Sequence, residues 1–572
     1  MINKVSLQAE NKLLNKQQKN QSFKGPGTAL LTGLGGLNDS PALGACAVDL
    51  CSMVIPRTAI EYKNRGTQAG IESAIREGSS CLLHACVGLI GFAAASLLSK
   101  GFNQQHGIKA QNIFASGDTV KNMSEIWKQT DGDGSVEQFF KGFVDNLQGL
   151  SGSNWKNVSK RGSKSIVENL VKMANKTSEM ATKSGAEKKA LSKEIKNLKE
   201  VVVSQLTKDT GAQMSYKLKG IKDASGNVVA KEISASAAEL VDSAVSLSNG
   251  FKTKTKEKLP DFVQGLMKNK SAATILGLGI CAALCLSFQP INTWLTKKRT
   301  GQDGFVGVED KQADNSKGFK AAKTALGVGF PIFAMTTIGK PANLLSNIQF
   351  MSKIPTINQF KFLYGLTIGS RFLSARDKNE LRESTIKDTL GFTNWLILGG
   401  MVSKLTARAL GGKALINNPV KTEGKKGLKY AFDWISKASV KSFDEVLMPK
   451  AKEVVKDGKV LPLAQMYKKA SPTVKKQVKQ IATSQIAGYL YSGLVLGIGI
   501  AKLNIFITKK MQEKKKMKEA EASKTTSQVQ PQAQNSVNNT QNTQVASSVQ
   551  PTQSVQPIQN AQSTNLLEQF LK

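Results

Sequence analysis

Apolar residues in this chain come in blocks, separated by long polar stretches, and three blocks are long enough to cross a bilayer. SCLLHACVGLIGFAAASLLS (80–99) carries no formal charge. As a helix rising 1.5 Å per residue it covers about 30 Å of hydrocarbon; His84 is its one costly residue. SAATILGLGICAALCLSFQPINTWL (271–295) ends in Trp294 and then Lys297-Lys298-Arg299, an aromatic and basic boundary of the kind found at membrane interfaces. IATSQIAGYLYSGLVLGIGIA (481–501) is the third block. Two shorter runs, 324–339 and 389–403, predict buried or re-entrant helices more readily than full spans. Pro331 and Asn394 point the same way. The pattern predicts three to five spans.

The polar stretches read as helices of other kinds. Residues 1–27 predict a disordered lead-in rich in Asn, Gln and Lys. Residues 28–56 are small and glycine-rich, interrupted by Asn38, Asp39 and Pro41, and predict no span. PRTAIEYKNRGTQAGIESAIREGSS predicts an amphipathic helix leading into the first block, completing a unit over 28–100. Residues 101–270 predict a helical polar insertion. Within it, Val136, Phe139, Phe140, Phe143, Val144 and Leu147 mark one helical face, started by Ser135 and Gln138 in capping-box spacing. Leu191, Ile195, Leu198 and Val202 keep a short heptad-like seam, which predicts a helix packed in a small bundle. Tyr216–Ile221 and Val228–Lys231 predict a hairpin around Ser225-Gly226-Asn227. Residues 271–410 hold apolar spans around RFLSARDKNELRESTIKD, which predicts a charged, solvated helix. Residues 411–480 predict polar amphipathic helices, 481–508 the last span, and 509–572 a polybasic flank with a disordered Gln/Asn/Ser/Thr tail ending in a short amphipathic tip. The fold class expected is all-α: a polytopic membrane protein with a helical polar insertion and disordered termini.

Charge narrows the partners. The 572 residues carry a net charge of +37, and only nine of the 79 basic residues are Arg. Such basicity points to an anionic partner. The shortage of Arg argues against a reader of bases or phosphates, because Arg supplies the bidentate fork; nucleic acid is therefore an unfavoured partner. A Lys- and Asn-rich chain also arises from simple codon bias. Lys509, Lys510, Lys514, Lys515, Lys516 and Lys518 follow the last block and predict contact with anionic membrane lipid. Lys468, Lys469, Lys475, Lys476 and Lys479 flank its other side, so positive charge leaves the orientation open. The polar opening shows no apolar signal region, which leaves insertion to an internal segment. The six Cys lie in apolar surroundings and predict buried free thiols.

Motifs of chemistry fail on inspection. Gly277-Leu278-Gly279-Ile280-Cys281-Ala282 fits GxGxxA, yet no acidic residue follows before Asp303, as a dinucleotide site would need. Cys81, His84 and Cys86 do not share one helical face, and zinc wants four ligands; His84 predicts a hydrogen bond to a neighbouring helix. Asp131–Ser135 begins like a calcium loop, but Val136 and Gly142 occupy the positions of the required Gly and Glu. With two His in the whole chain, no catalytic, cofactor or metal residue is singled out. Gly493 and Gly497 form a GxxxG pair that offers a helix-packing face, toward another helix or a second copy.

AVDLCSMVIPRTAIEYKNRG, QPINTWLTKKRTGQDGFVGVED and RFLSARDKNELRESTIKDTLGFTNWLILGG resemble stretches of uncharacterised membrane proteins from non-photosynthetic gut relatives of cyanobacteria. The resemblance covers about half the chain, outside the middle region and tail. It implies a bacterial, membrane-embedded product and no activity, and no functional residue carries over. The expectation for function is a non-enzymatic scaffold or interaction protein of the bacterial inner (cytoplasmic) membrane, binding anionic lipid and a protein partner or a second copy. A transporter or channel component is the alternative, which predicts ionisable residues facing one another within the membrane, with His84 the sole candidate. A basic nucleic-acid-binding protein is the third.

Overall fold

The structure, a computed structural model, describes residues 33–37, 41–113, 115–130, 135–149, 160–211, 216–222, 225–307, 312–350, 355–397, 400–418 and 427–528. The expectations for residues 1–27 and for the tail beyond 528, and residues 131–134 of the calcium-loop-like stretch, lie outside them. The described chain is mostly helical. Numbered in order, the helices are α1 Pro41–Ala47, α2 Ile55–Arg65, α3 Thr67–His106, α4 Gly117–Lys128, α5 Val136–Asp145, α6 Lys160–Met180, α7 Gly185–Thr210, α8 Ala237–Phe251, α9 Leu259–Thr300 and α10 Lys317–Thr336. There follow α11 Leu344–Asn347, α12 Ile357–Leu373, α13 Lys378–Phe392, α14 Met401–Gly411, α15 Gly427–Lys437, α16 Phe443–Leu447, α17 Leu463–Lys469, α18 Pro472–Tyr491 and α19 Ile500–Gln528. Wider π-helical turns at Val48–Val54, Thr393–Ile397 and Ser492–Gly499 lie after α1, α13 and α18.

Two long helices organise the whole. Gly66, at φ +88°, separates α2 from α3. Beyond it no Pro or left-handed residue interrupts the chain until Gly107, so the expected amphipathic helix is split: its first part is α2, and the rest, from Thr67, fuses with the first span into one helix of 40 residues. Helix α9 runs for 42 residues to Gly301, again left-handed. The two pack antiparallel: Ser99 Oγ donates to Asn269 at 2.9 Å near one end, and Asn292 Nδ2 to the Glu72 carbonyl at 3.2 Å near the other. Between these points Gly91 meets Gly277. A Cβ on Gly277 would stand 3.0 Å from the Gly91 Cα, and one on Gly91 would collide with the Phe350 ring. Small residues here let backbones approach as in membrane helix pairs.

The outward faces of these helices are apolar. Leu82, Leu97, Ile275, Leu494 and Phe506 expose 61–67 % of their surface. Large side chains left bare on several helices at once form a patch that water would penalise and lipid would not. Three helical stretches are long and apolar enough to cross a membrane: Thr67–His106, Leu259–Thr300 and Pro472–Ala522. A fourth arises if α10 and the segment Pro341–Asn347, bent by 72°, form one broken span. The run at 389–403 is broken differently, by the π-helical turn at Thr393–Ile397 and the left-handed Gly400. The region 28–56, where no span was predicted, contains α1 and a π-helical turn whose Met53 is fully buried among apolar side chains of α10, α12 and α13.

Beyond the Ser99–Asn269 end lies a module with its own core. Trp127, Phe139, Phe140, Phe143, Phe251 and Phe262 are buried together, with Leu170, Val202 and Leu206 from α6 and α7. The predicted face of α5 is entirely in this core or packed against it, and Ser135 accepts from the Gln138 N–H to cap the helix. Of the predicted seam on α7, Ile195, Leu198 and Val202 pack here too. The hairpin is corrected in part. Ile221–Lys222 pairs antiparallel with Val228–Ala230, but Tyr216–Leu218 instead lies between Leu147–Gly149 and Ile233–Ala235. Tyr216 and Leu218 alternate inward into the aromatic core, which explains the different partner. A second core gathers Ala407, Leu415, Trp434, Phe443, Val474, Val478 and Ile481 around the start of α18. It meets the first module, where Gly211 faces Pro449 and Lys208 Nζ lies 3.4 Å from the Lys452 carbonyl.

Candidate functional site: a buried ion-pair network

The stretch expected to be a solvated charged helix is the most deeply buried polar segment described. Arg371, Arg376, Asp377, Glu380, Glu383, Lys387 and Asp388 are all buried. On α13 itself Glu380, Glu383, Lys387 and Asp388 recur at i, i+3, i+7 and i+8, so one face of the helix presents charge inward. The partners come from α2 and α3, which contribute Arg57, Arg65, Glu72, Arg76 and Glu77, also with buried side chains.

Arg371 sits at the centre. One guanidinium nitrogen donates to Asp388 at 2.8 Å; the other approaches Glu77 at 3.0 Å, with Ser80 Oγ and the Arg76 carbonyl at 3.3 Å. Lys387 Nζ stands 2.9 Å from the other Glu77 oxygen. Arg376 pairs with Glu72 across helices and bonds Glu380 at 2.9 Å, while Glu380 also accepts the Arg376 backbone N–H at 2.8 Å. Arg65 forks onto both oxygens of Glu383, one at 2.9 Å. Glu383 also accepts from Thr508 of α19, and Asn504 Nδ2 donates to the Glu383 carbonyl at 3.0 Å. Arg57 reaches the Leu496 carbonyl at 3.2 Å, within the π-helical turn Ser492–Gly499. Asp377 caps α13, accepting from the N–H groups of Asn379 and Glu380 at 2.8 and 2.9 Å and from that of Phe305 at 2.9 Å.

Opposite charges are nearly matched. Arg57, Arg65, Arg76, Arg371, Arg376 and Lys387 face Asp49, Glu72, Glu77, Asp377, Glu380, Glu383 and Asp388, all with buried side chains. Burial taxes each ion, and only close partners on every side offset that cost. Glu383 illustrates the outcome. Burial pushes its carboxyl up, but the Arg65 fork and the Thr508 hydroxyl prevail and hold it below the usual glutamate range. For Asp377 burial prevails over its backbone donors, and its carboxyl is pushed up.

The network lies at one edge of the apolar belt. Glu72, Arg76 and Glu77 occupy the two turns before residue 80, and Glu72 is level with Asn292, beside Trp294 and the basic boundary of α9. A cavity beside Glu72 and Arg76, lined also by Phe305 and Val306, holds only ~10 Å³, at most a single water. An open groove of about 340 Å³ lies on the other side of Arg376, lined also by Trp294, Lys297, Asp303 and Ser374; between the paired helices themselves the arrangement joins them electrostatically and leaves room for no more than that water.

His84, deeper in the belt, is fully buried against Phe360 and Tyr364, with ring centroids 5.8 and 5.3 Å apart. Neither of its nitrogens finds a hydrogen-bond partner among the described residues, contrary to the expected bond to a neighbouring helix. Nor is it the sole ionisable candidate at the membrane, since the network adds a dozen charged side chains at the belt's edge. Of the thiols, Cys81, Cys281 and Cys285 are buried, but Cys51 is exposed and Cys46 and Cys86 are half-buried.

The other singled-out residues fall elsewhere. Gly493 and Gly497 lie in the π-helical turn after α18. Gly497 abuts Ser52, whose carbonyl oxygen a Cβ would strike, while Gly493 stands opposite Ser52 Oγ at van der Waals distance. Lys509, Lys510, Lys514, Lys515, Lys516 and Lys518 are exposed along α19, with Lys515 4.0 Å from Glu519. The network itself had a signal in the sequence. Six of the nine arginines, at 57, 65, 76, 371, 376 and 382, fall in two short stretches, and the first five supply its guanidinium groups. No protein-family model, curated protein or solved structure matches this chain.

Proposed function

We propose that the chain is a non-enzymatic scaffold of a bacterial inner membrane, which holds two extramembrane modules rigidly for protein partners. One observation carries this reading: α3 and α9 pass without a break from the apolar belt into the core of the aromatic module, where Phe102, Phe262 and Leu266 are buried. A module tied through two continuous helices cannot swing freely on its anchor. The network supports the same reading, because it binds α2, α3, α12, α13 and α19 to one another at the far edge. The exposed Lys of α19 fit contact with anionic lipid.

Buried charge favours a second reading, a channel or transporter component, since ionisable residues at membrane depth commonly mark ion pathways. The close pairing of Arg65, Arg371, Arg376 and Lys387 with carboxylates of other helices argues against it. The test is an alkaline carbonate wash of membranes holding the expressed protein, followed by ion-flux assays in liposomes. The scaffold reading expects retention in the pellet and no flux above empty liposomes. Release into the supernatant rejects the membrane anchor, and flux abolished by Glu77→Gln replaces the scaffold with a conductor.

A further inference from the structure

Helices α10 and α13 leave a groove between them that the network does not fill. Its volume is about 450 Å³, within the range of roughly 300–1,000 Å³ that small-ligand sites occupy. Phe319 and Leu381 form a buried apolar floor, and Ala322, Leu326 and Ile386 line the sides. The groove runs on toward the apolar belt, since Leu326 in its wall and Phe333, seven residues later on the same face of α10, are both exposed. At the opposite end the lining becomes cationic and polar, with Lys378, Arg382 and Ser316. Lys317 and Lys320 are exposed on the first turn of α10, and Lys323 is half-buried, its Nζ donating to the Ala375 carbonyl at 3.2 Å. One carboxylate attends them: Asp314 stands 3.5 Å from Lys378 and accepts the Ser316 N–H at 2.8 Å. Among the described residues, Lys317, Lys320, Lys323 and Lys378 stand against one half-buried carboxylate, which leaves the mouth positive. The mouth is also at the network edge of the belt, since Arg382 donates to Thr508 at 2.6 Å beside Glu383.

An apolar slot opening to lipid below and a positive rim above match one kind of molecule. We infer that this groove binds an anionic phospholipid, with an acyl chain between α10 and α13 and its phosphate among Lys378, Lys320 and Ser316. A zwitterionic lipid would fill the slot equally but gain less at the rim, and an apolar helix of another protein would gain nothing there. The site differs from the polybasic run of α19, which has charge on an exposed helix and no slot. The inference rests on the membrane reading, and the carbonate wash tests that reading separately.

The test is native mass spectrometry of the full chain released from a neutral detergent, after mixing with phosphatidylglycerol or phosphatidylcholine of equal chain length. The expected result is one retained phosphatidylglycerol, favoured about tenfold or more over phosphatidylcholine by the cations at its headgroup. Ala322→Trp, on an exposed position, fills the slot and should abolish retention of both lipids. Lys320→Ala with Lys378→Ala should remove the preference but keep the binding. Replacing the six Lys at 509–518 with Gln should leave both unchanged. Equal retention of the two lipids by the parent chain, or undiminished binding in Ala322→Trp, overturns the inference. So does loss of the preference on changing the α19 lysines alone. A chain that passes the carbonate wash yet shows no lipid preference rejects the site and leaves the anchor standing.

Discussion

Glu383 shows how one side chain can report on the network. Its folded carboxyl is held below the ordinary value of about 4.3 by Arg65 and Thr508, against the opposing effect of burial. The folded state therefore binds fewer protons there than the unfolded chain. The stability this contributes is present above about pH 4.3 and is lost as pH falls through the folded value. Glu383→Gln should cost about 1–3 kcal/mol at pH 7, because it removes one of the two carboxylates that Arg65 holds, Glu61 at 3.1 Å being the other. The gap between parent and variant should narrow below about pH 4. Thermal unfolding in detergent, followed by circular dichroism at pH 7 and pH 3.5, measures both; a gap of equal size at the two pH values removes Glu383 from the ionic account. Residue types explain why the sequence hinted at this site without revealing it. Arg is scarce in a chain of 70 Lys, and Arg is the cation suited to buried, forked pairing. Its concentration at 57–76 and 371–382 was readable. What was not readable is that two segments 300 residues apart meet: a run such as RFLSARDKNELRESTIKD has the local composition of a solvated helix, and only tertiary contact turns it inward.

At the scale of elements, hydropathy located the spans because they need only length and apolarity, both local properties. It underestimated the helices themselves. Helix α3 starts at Thr67 and α9 at Leu259, well outside the apolar runs, because Gly66 at positive φ and Pro260 in the first turn mark the starts, and not where hydrophobicity begins. The crossing of α3 and α9 was hidden for a related reason. With 49 Gly in the chain, nothing local distinguishes Gly277, which meets Gly91, from Gly279 two residues on, which faces open space. That contrast gives a prediction. Gly277→Leu should force α3 and α9 apart and shift Phe350, lowering stability by about 1–3 kcal/mol. Gly279→Leu adds the same side chain on an exposed position and should be neutral or slightly stabilising, since it removes a helix-interior glycine. Paired melting curves in one detergent decide it, and equal losses in both variants would mean that the crossing is not at Gly277.

At the scale of the whole molecule, the two cores outside the belt carry the argument about topology that positive charge could not. Lysines flank the last span at both ends, so no orientation follows from counting them. Packing instead fixes a relation. Helix α7 of the aromatic module meets the segment around Pro449 and Lys452 of the second core. Those two segments must then lie on the same side of any membrane that α3, α9 and α18 cross. The turn between α6 and α7, at Ala181–Ser184, and the hairpin tip at Asp457–Gly458 are exposed sites within them. A protease site inserted at either position should therefore be cut from the same face of sealed vesicles, and protected from the other. The π-helical turn at Thr393–Ile397 and Gly400 make this a demanding test, because a chain broken within 389–403 can cross the bilayer or turn back. If 378–411 turned back instead of crossing, the second core would enter from the opposite face. Cleavage of the two inserts from opposite faces would thus break the contact between the modules and, with it, the case that they are presented together to a partner.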